Sequence, residues 1–351
     1  MPEIRKHYFL SDHCIIAEER NNRPSDFEDA SGSLVKRSPI SCSFCEGSEE
    51  STPLAAAVYK KGEIFVDTLE KRIRNWDLRC FLNSYPALSP VLYPSGHPEV
   101  GLHAEPGYGF HEVIVETPLH GRRIEDFSYF ELSALMNVYK DRTCNYMTDK
   151  KIRYISIFKN IGKAAGASIN HSHSQLIALP FYPPSLEREM KAIKERDNCP
   201  YCAIFDLEKS SPRFIFENSE CIAFAPYYSI GPFEVWILPK KHVSSLGDCN
   251  DKLLFALGNM LQAVLRSYGR VFENLPLNYM FYQLFDNPEY HLNLRLLPKL
   301  SINAGFELNT GTYINTVSPE RAASCLRGDS MLSESIPYIL NKSRINTDEH
   351  R

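Results

Sequence analysis

Two Cys-x-x-Cys pairs are the residues in this chain best suited to bind a metal, and each pair is followed by two histidines. The two sets are Cys42, Cys45, His120 and His171, and Cys199, Cys202, His242 and His291. A structural zinc ion takes four ligands in a tetrahedron, commonly two thiolates and two imidazoles. The histidine spacing agrees between the sets, with 51 positions from His120 to His171 and 49 from His242 to His291. The pattern predicts two Cys₂His₂ zinc sites per chain.

Each assignment has an alternative. A lone Cys-x-x-Cys pair can be a redox dithiol, but the polar Gly-Ser-Glu-Glu segment after Cys45 does not resemble that setting. For the first site, His111 competes with His120. We favour His120 because it follows a strand and Pro118, as His242 follows Pro239. His111 would lie inside the strand as a partly buried histidine with ordinary hydrogen bonds.

The segment His171-Ser-His173-Ser-Gln175 is the densest signal for chemistry. In a strand, alternate side chains lie on one face, and every second residue is about 7 Å from the last. A metal-bound His171 would anchor that face, and His173 and Gln175 would then face a substrate. A Gly-rich turn just before it could present backbone N–H groups to phosphate, although such a turn alone is more often a flexible loop.

The elements around these residues occur twice. In the first half, strand 111–118 is followed by a helix with apolar residues at Phe127, Phe130, Leu135, Val138 and Tyr139, and then by strands 153–160 and 171–180. In the second half, strand 232–242 precedes a helix with an apolar face, and strands 277–285 and 291–298 follow. The apolar residues of that second helix are Leu253, Leu257, Met260, Leu261, Val264 and Tyr268.

This repetition predicts an α+β fold of two tandem units, each an antiparallel sheet with packed helices. We expect a first, catalytic domain over 1–190 and a second domain over 191–335, joined by a Pro-containing, charged linker at 181–198. The Pro- and Gly-containing segment 46–110 is expected to be mostly loop. Residues 336–351 are polar and are expected to be disordered.

Composition narrows the classes of function. The net charge of −4 argues against a partner with a phosphate backbone, because such binding requires a basic face. No apolar run approaches the roughly 20 residues of a membrane helix, and the N-terminal residues do not resemble a signal peptide. We therefore predict a cytosolic protein without nucleic-acid or membrane partners, whose cysteines are thiols or metal ligands.

The His-x-His-x-Gln strand, the two ligand sets and the repeated halves resemble the galactose-1-phosphate uridylyltransferase branch of the histidine-triad superfamily, from about residue 10 to residue 320. The resemblance extends to the subgroup that includes ADP-glucose phosphorylase, whose second metal site is Cys₂His₂. It implies that His173 is the nucleophile, that His171 binds zinc and that Gln175 holds the phosphoryl oxygens of a covalent intermediate. It also implies a homodimer. The resemblance assigns further substrate contacts to Ser168, Gly166, Asn160, Arg20 and Arg23 (phosphate), Phe81 and Asn83 (nucleoside) and Glu307 (hexose).

The chain departs from the family pattern at three points. Serines replace the prolines that many members carry between the motif histidines, and Ser84 stands where some uridylyltransferases have Asp. In the second repeat, Asn293 stands where the nucleophile would be. An amide cannot form a phosphoramidate, so the second half is predicted to be catalytically silent.

These observations predict a nucleotidyltransferase that acts on a nucleotide sugar and a sugar 1-phosphate. Neutral imidazole is a good nucleophile near pH 7, and a covalent intermediate on His173 would give ping-pong kinetics. The first choice is UDP-glucose:hexose-1-phosphate uridylyltransferase, with ADP-glucose phosphorylase as the alternative. A dinucleoside polyphosphate hydrolase is less favoured, because Gln175 cannot serve as a general acid. A non-enzymatic zinc module would leave His173 unexplained.

Overall fold

The computed structural model describes residues 2–7, 10–22, 42–91 and 102–329. Arg23 and the predicted tail 336–351 lie outside these residues. Within them the strands are β1 (Glu3–Lys6), β2 (His13–Ile16), β3 (Ala55–Lys60), β4 (Glu63–Phe65), β5 (Leu78–Leu82), β6 (Ala104–Pro106), β7 (Phe110–Val115), β8 (Tyr154–Ile161), β9 (His173–Leu179), β10 (Phe214–Glu217), β11 (Cys221–Phe224), β12 (Val235–Pro239), β13 (Leu277–Tyr282) and β14 (Asn293–Pro298). The α-helices are α1 (Tyr129–Met147), α2 (Pro184–Lys194), α3 (Pro200–Glu208), α4 (Asp251–Val271), α5 (Gly305–Thr310) and α6 (Pro319–Arg327).

The chain divides into two compact units. The first comprises 1–123, 138–158 and 168–196, and the second comprises 124–137, 159–167 and 197–351. The last division between the units falls after residue 196, and the two domains predicted from the sequence, 1–190 and 191–335, stay a prediction. Two short segments of the first half, 124–137 and 159–167, belong to the second unit, so the units are not continuous in sequence. Among the described helices, none combines the length and the apolar character that a membrane span requires.

The first unit contains strands in the order β8-β9-β7-β5-β3-β4, all antiparallel, and a separate three-stranded sheet in the order β2-β1-β6. Strand β9 is paired along both edges, with β7 and with β8. Its register places Val115 opposite His173 and Val113 opposite Gln175. Both edges of the candidate catalytic strand are therefore fixed by hydrogen bonds.

The second unit contains strands in the order β10-β11-β12-β14-β13, again antiparallel. The pairing repeats that of the first unit: β12 corresponds to β7, β14 to β9 and β13 to β8. Helix α4 separates β12 from β13 as α1 separates β7 from β8. The α+β fold and the repeated order of elements agree with the prediction from the sequence.

The helices follow their apolar periodicity with one exception. The predicted apolar face of α4 is buried at every position, and the Asn250 side chain caps the helix by accepting the Leu253 N–H at 2.9 Å. Helix α1 buries Leu135, Val138 and Tyr139, but Phe130 is 81% exposed, so its assignment to the buried face is wrong. Phe130 lies in the first turn of α1, next to Tyr129, which is also exposed.

The segment 46–110 contains strands β3 to β6, which the sequence analysis did not single out, but most of its described residues lie outside strands, as expected. Ala55, Val58 and Cys80 are fully or almost fully buried in these strands. The pattern was hard to detect because a bulge in β3 between Ala55 and Ala57 breaks the two-residue alternation that predicts a strand. The predicted linker 181–198 contains helix α2, which begins at Pro184.

Candidate active site and metal centres

The first metal-type cluster joins four residues from three parts of the first unit. Cys42 and Cys45 lie in the loop before β3, His120 follows β7, and His171 precedes β9. The Cys42 Sγ–His171 Nδ1, Cys45 Sγ–His171 Nδ1 and Cys45 Sγ–His120 Nδ1 distances are each 3.6 Å. Zinc–sulfur and zinc–nitrogen bonds of about 2.3 and 2.05 Å at the tetrahedral angle place the two ligand atoms about 3.6 Å apart. The cluster has the dimensions of a zinc site.

The second cluster repeats this arrangement in the second unit. The Cys199 Sγ–His291 Nδ1 distance is 3.9 Å, Cys202 Sγ–His291 Nδ1 is 3.6 Å and Cys202 Sγ–His242 Nδ1 is 3.4 Å. In each cluster the four donor atoms lie within 4.8 Å of one another. Both ligand sets predicted from the sequence are therefore brought together, and His120 rather than His111 is near the first pair.

The histidine tautomers favour metal binding through Nδ1. The Nε2 atoms of His171, His242 and His291 lie 2.7, 2.8 and 3.0 Å from backbone carbonyl oxygens. A carbonyl only accepts, so each Nε2 carries the proton and each Nδ1 directs its lone pair towards the thiols. This is the usual arrangement of a metal-bound histidine, whose second nitrogen donates to a carbonyl or carboxylate.

The thiols of the two clusters need a counter-charge to ionise. Burial and the neighbouring Cys42 raise the pKa of Cys45 to about 12, and burial together with Cys199 raises the pKa of Cys202 to about 11. Burial and His242 lower the pKa of His291 to about 4, which keeps its imidazole neutral and able to bind a cation. A bound dication deprotonates a coordinating thiol, so its binding would be coupled to proton release.

His173 is the first residue of β9 and is 8% exposed. Its Nδ1 lies 2.7 Å from the His171 carbonyl oxygen, so Nδ1 carries the proton and the ring lone pair is on Nε2. The Phe44 ring packs edge-on against the imidazole, with 5.2 Å between ring centroids. A neutral imidazole with a fixed tautomer is suited to nucleophilic attack through Nε2.

The region just before His173 is anchored by Glu116 in the first unit. The Glu116 carboxylate accepts hydrogen bonds from the Ser172 hydroxyl at 2.7 Å and from the Tyr139 hydroxyl at 3.0 Å. The Glu116 N–H donates to the Ser172 carbonyl at 3.1 Å. The serine that replaces the family's proline between the two histidines therefore has a structural role, because its hydroxyl ties the motif to the end of β7.

Gln175 is buried on β9 and contacts a histidine that the sequence analysis left without a role. The His111 Nε2–Gln175 Oε1 distance is 2.9 Å. The other ring nitrogen, His111 Nδ1, accepts the Ala87 backbone N–H at 3.0 Å and lies 3.2 Å from the Arg20 guanidinium. Asn83 Nδ2 lies 3.3 Å from His111 Nε2. Alternation along β7 places His111 on the same face as Val113, but the register that pairs Val113 with Gln175 is set by the fold and was not available from the sequence.

Phe81 and Arg20, assigned to the nucleoside and phosphate pockets, contact side chains that themselves pack against His173 or Gln175. Phe81 is buried, and its ring centroid is 5.7 Å from that of Phe44, which packs on His173. The Arg20 guanidinium donates to the Tyr85 carbonyl oxygen at 2.5 Å. Ser168 is 8% exposed in the first unit. The roles assigned to these side chains remain predictions.

Asn160 and Gly166 belong to the second unit, where they form part of one hydrogen-bonded turn. The turn 162–166 begins and ends with glycines at positive φ, 79° for Gly162 and 87° for Gly166. Asn278 Nδ2 donates to Asn160 Oδ1 and to the Ala165 carbonyl, each at 2.8 Å. Asn278 was not predicted, and no sequence pattern distinguishes it. The turn is thus held by an asparagine from β13, and the N–H groups of Ala165, Gly166 and Ala167 donate to carbonyl oxygens within the turn itself, so the nest of free N–H groups expected from the Gly-rich segment is not formed by these three.

Glu307 lies on α5, is exposed and caps its own helix: Oε2 accepts the Ala304 N–H at 2.9 Å. Its proposed contact with a hexose remains a prediction. In the second repeat, Asn293 Nδ2 donates to the His291 carbonyl at 3.0 Å, and Asn293 Oδ1 accepts from Arg295 Nε at 2.8 Å. The asparagine thus makes the hydrogen bond that His173 makes in the first repeat, and Arg295 occupies the position of Gln175.

The fold and the first-unit site define a nucleotidyltransferase-type protein with a histidine-triad-like architecture. The chain is 35% identical over 347 residues to an ADP-glucose phosphorylase from Arabidopsis thaliana, covering 94% of this chain and 93% of the relative. It is 32% identical over 269 residues to a galactose-1-phosphate uridylyltransferase from Thermotoga maritima, covering 72% and 84%. The chain belongs to the galactose-1-phosphate uridylyltransferase family, which includes ADP-glucose phosphorylase.

Solved structures agree with this assignment. A crystal structure of an ADP-glucose phosphorylase from Arabidopsis thaliana with bound ADP-glucose matches with a TM-score of 0.69 and 30% identity, covering 94% of this chain and all of that one. A structure of a uridylyltransferase matches with a TM-score of 0.75 and 26% identity, covering 93% and 97%. Residues 125–333 also match a family model described as "Domain of unknown function (DUF4921)".

Proposed function

We propose that this protein is an ADP-glucose phosphorylase that works through an adenylyl-His173 intermediate. The identity of 35% across 94% of the chain to an ADP-glucose phosphorylase supports this choice over the uridylyltransferase predicted first. The single structural observation that carries nucleotidyl transfer is the hydrogen bond between His173 Nδ1 and the His171 carbonyl. It assigns the ring lone pair to Nε2 on a strand that is paired along both edges.

In the first step, His173 Nε2 attacks the α-phosphorus of ADP-glucose. A nitrogen–phosphorus bond forms, and the bond from the α-phosphorus to the bridging oxygen breaks, which releases glucose 1-phosphate. Positive charge develops on the imidazole ring during attack. The His171 carbonyl dipole faces the Nδ1–H at 2.7 Å and stabilises that charge.

In the second step, an oxygen of inorganic phosphate attacks the same phosphorus. The nitrogen–phosphorus bond breaks, its electron pair returns to Nε2, and ADP is released. Gln175 donates its amide hydrogens to the phosphoryl oxygens in both steps. Because an amide does not titrate near pH 7, it does not supply a proton that would assist hydrolysis of the intermediate.

We propose zinc as the ion of both clusters. The donor set is Cys₂His₂, and the sulfur–nitrogen distances of 3.4 to 3.9 Å match a tetrahedral site. When bound, zinc would join the Cys42 loop to His120 and His171 and hold the backbone carbonyl that accepts from His173. In the second unit it would join the start of α3 to the segment before β14.

The second candidate is hexose-1-phosphate uridylyltransferase, with UDP-glucose as donor and galactose 1-phosphate as acceptor. The structural comparison favours it, because the TM-score to a uridylyltransferase is 0.75 and that to the ADP-glucose phosphorylase is 0.69. The chemical steps are the same, and only the base and the acceptor differ. The predicted homodimer and cytosolic compartment stay predictions from the sequence.

Single-turnover assays with both donors decide between the candidates. Each donor is radiolabelled at the α-phosphorus, and covalent label on His173 is measured by quench-flow and mass spectrometry. Turnover is then measured with phosphate and with galactose 1-phosphate. We expect at least tenfold faster labelling with ADP-glucose and the fastest turnover with phosphate. Faster labelling with UDP-glucose, with galactose 1-phosphate as the better acceptor, would establish the second candidate instead.

A further inference from the structure

His111 lies on the strand next to the candidate catalytic strand and is 1% exposed. Val113 is the cross-strand partner of Gln175, so His111, two residues earlier on β7, is a diagonal neighbour on the same face of the sheet. Neither the ligand sets nor the family resemblance assigns it a role. A buried histidine in this position is close enough to orient Gln175.

The hydrogen bonds of His111 determine its tautomer. The Ala87 backbone N–H can only donate, and it lies 3.0 Å from Nδ1. The Arg20 guanidinium, 3.2 Å from the same atom, is also a donor only. Nδ1 is therefore an acceptor, and in the neutral ring the proton is on Nε2. Asn83 Nδ2, at 3.3 Å from Nε2, is another donor and does not compete for that proton.

This tautomer in turn determines how the Gln175 amide is oriented. The atom 2.9 Å from the protonated His111 Nε2 must accept a hydrogen bond, so it is the oxygen Oε1. The amide nitrogen is then directed away from His111. An unconstrained glutamine can rotate by half a turn and exchange its two ends, which would present an oxygen to phosphate. Phosphoryl oxygens need donors, so only one of the two orientations serves transfer.

We propose that His111 is a positioning residue that holds Gln175 in the orientation that donates to the phosphoryl group of the nucleotidyl-His173 intermediate. This inference rests on the proposed function. The chain of contacts runs from the Ala87 N–H through the His111 ring to the Gln175 oxygen. All three residues belong to the first unit, and both side chains are buried.

The test is a double-mutant cycle on the rate of covalent labelling. His111→Leu should slow labelling by about 10- to 100-fold, since losing one donor to a developing oxyanion costs about 100-fold or more. The loss should appear in kcat more than in KM. His111→Gln should stay within about threefold of wild type, because its amide nitrogen can still donate to Gln175. In a Gln175→Ala background, His111→Leu should change the rate less than about twofold, because coupled residues act non-additively.

A packing control separates positioning from loss of stability. Ile114 is fully buried on the opposite face of β7. Ile114→Ala should lower the melting temperature and leave the labelling rate within about twofold of wild type. If His111→Leu has no effect on labelling, or has its full effect without Gln175, the positioning role is wrong.

A measurement that does not depend on turnover tests the hydrogen bond itself. Nitrogen-15 spectra of selectively labelled histidine, with the His111 signal identified from the His111→Gln protein, should show the Nε2–H tautomer. The Nδ1–H tautomer would contradict the inference even if the enzyme is active. A wild-type protein that forms no labelled His173 with either nucleotide sugar would refute the proposed function and the positioning role together. Normal labelling with additive effects would refute the positioning role alone.

Discussion

Glu112 and Arg142 form a buried ion pair in the first unit, next to His111 on β7. The Glu112 side chain is fully buried and Arg142 is 6% exposed. The carboxylate accepts Arg142 Nε at 3.0 Å, Arg142 Nη2 at 2.9 Å and the Tyr146 hydroxyl at 3.0 Å. Burial raises the pKa of Glu112, and the Arg142 cation and the Tyr146 hydroxyl act against that rise. Arg142→Met therefore removes the only counter-charge that pairs directly with this carboxylate among the described residues.

The expected loss follows from these contacts. The substitution removes two of three hydrogen bonds to a buried charge, and each such bond contributes about 1.5 to 3 kcal/mol. Breaking a buried pair by removing one partner typically costs about 3 to 5 kcal/mol. We expect a loss of about 3 to 5 kcal/mol in the free energy of unfolding of the first unit at pH 8.

The loss should also depend on pH, with a definite sign. Without Arg142 the pKa of folded Glu112 rises further above its unfolded value of about 4.3, so the folded state binds the proton more tightly. Stability then decreases as pH rises, by up to about 1.4 kcal/mol per pH unit. The deficit of the variant relative to wild type should therefore grow as pH rises from the wild-type pKa of Glu112 to the higher pKa of the variant, and be smallest at the acid end of the range.

Each unit contains one of the two tryptophans, so tryptophan fluorescence can report on the first unit alone once the tryptophan of the second unit is replaced. Trp76 is buried in the first unit and Trp236 belongs to the second. In a Trp236→Phe background, urea unfolding followed by fluorescence reports Trp76 alone. The double variant Glu112→Leu/Arg142→Met should regain most of the loss, because it leaves no unpaired buried charge. A deficit below about 1 kcal/mol, or one that is independent of pH from 5 to 8, would refute the reasoning.

Three further outcomes are expected. Elemental analysis should find close to two zinc ions per chain. Cys202→Ser should lose one of these ions and lower the melting temperature. It should keep covalent labelling within about tenfold of wild type, because its cluster lies in the repeat without a nucleophile. His173→Asn should reduce labelling by more than about 1,000-fold while circular dichroism and zinc content stay unchanged, and persistent label would place the nucleophile elsewhere. Asn293→Ala should leave labelling within about threefold of wild type while lowering the melting temperature, because it removes only buried hydrogen bonds of the second repeat. Abolished labelling would show that the second half is not catalytically silent.

Much of the site could be predicted from the sequence because its signals are local. The Cys-x-x-Cys pairs, the His-x-His-x-Gln strand and the apolar face of α4 each lie within one short segment. Strand and helix periodicities act over a few residues, so they can be recognised without knowledge of the fold. The repeated order of strand, helix and two strands was visible for the same reason.

The tertiary structure decided the features that depend on contacts between distant segments. The sequence favoured His120 over His111 for the first cluster, but only folding places His120 Nδ1 3.6 Å from a thiol 75 positions earlier. Likewise, no local pattern predicts that His111 contacts Gln175, 64 positions later, because strand register and the chain path set that contact. The sequence by itself determined which groups are available for metal binding and transfer. The fold determined which of them meet, because hydrogen-bond geometry depends on a three-dimensional path that no local periodicity encodes.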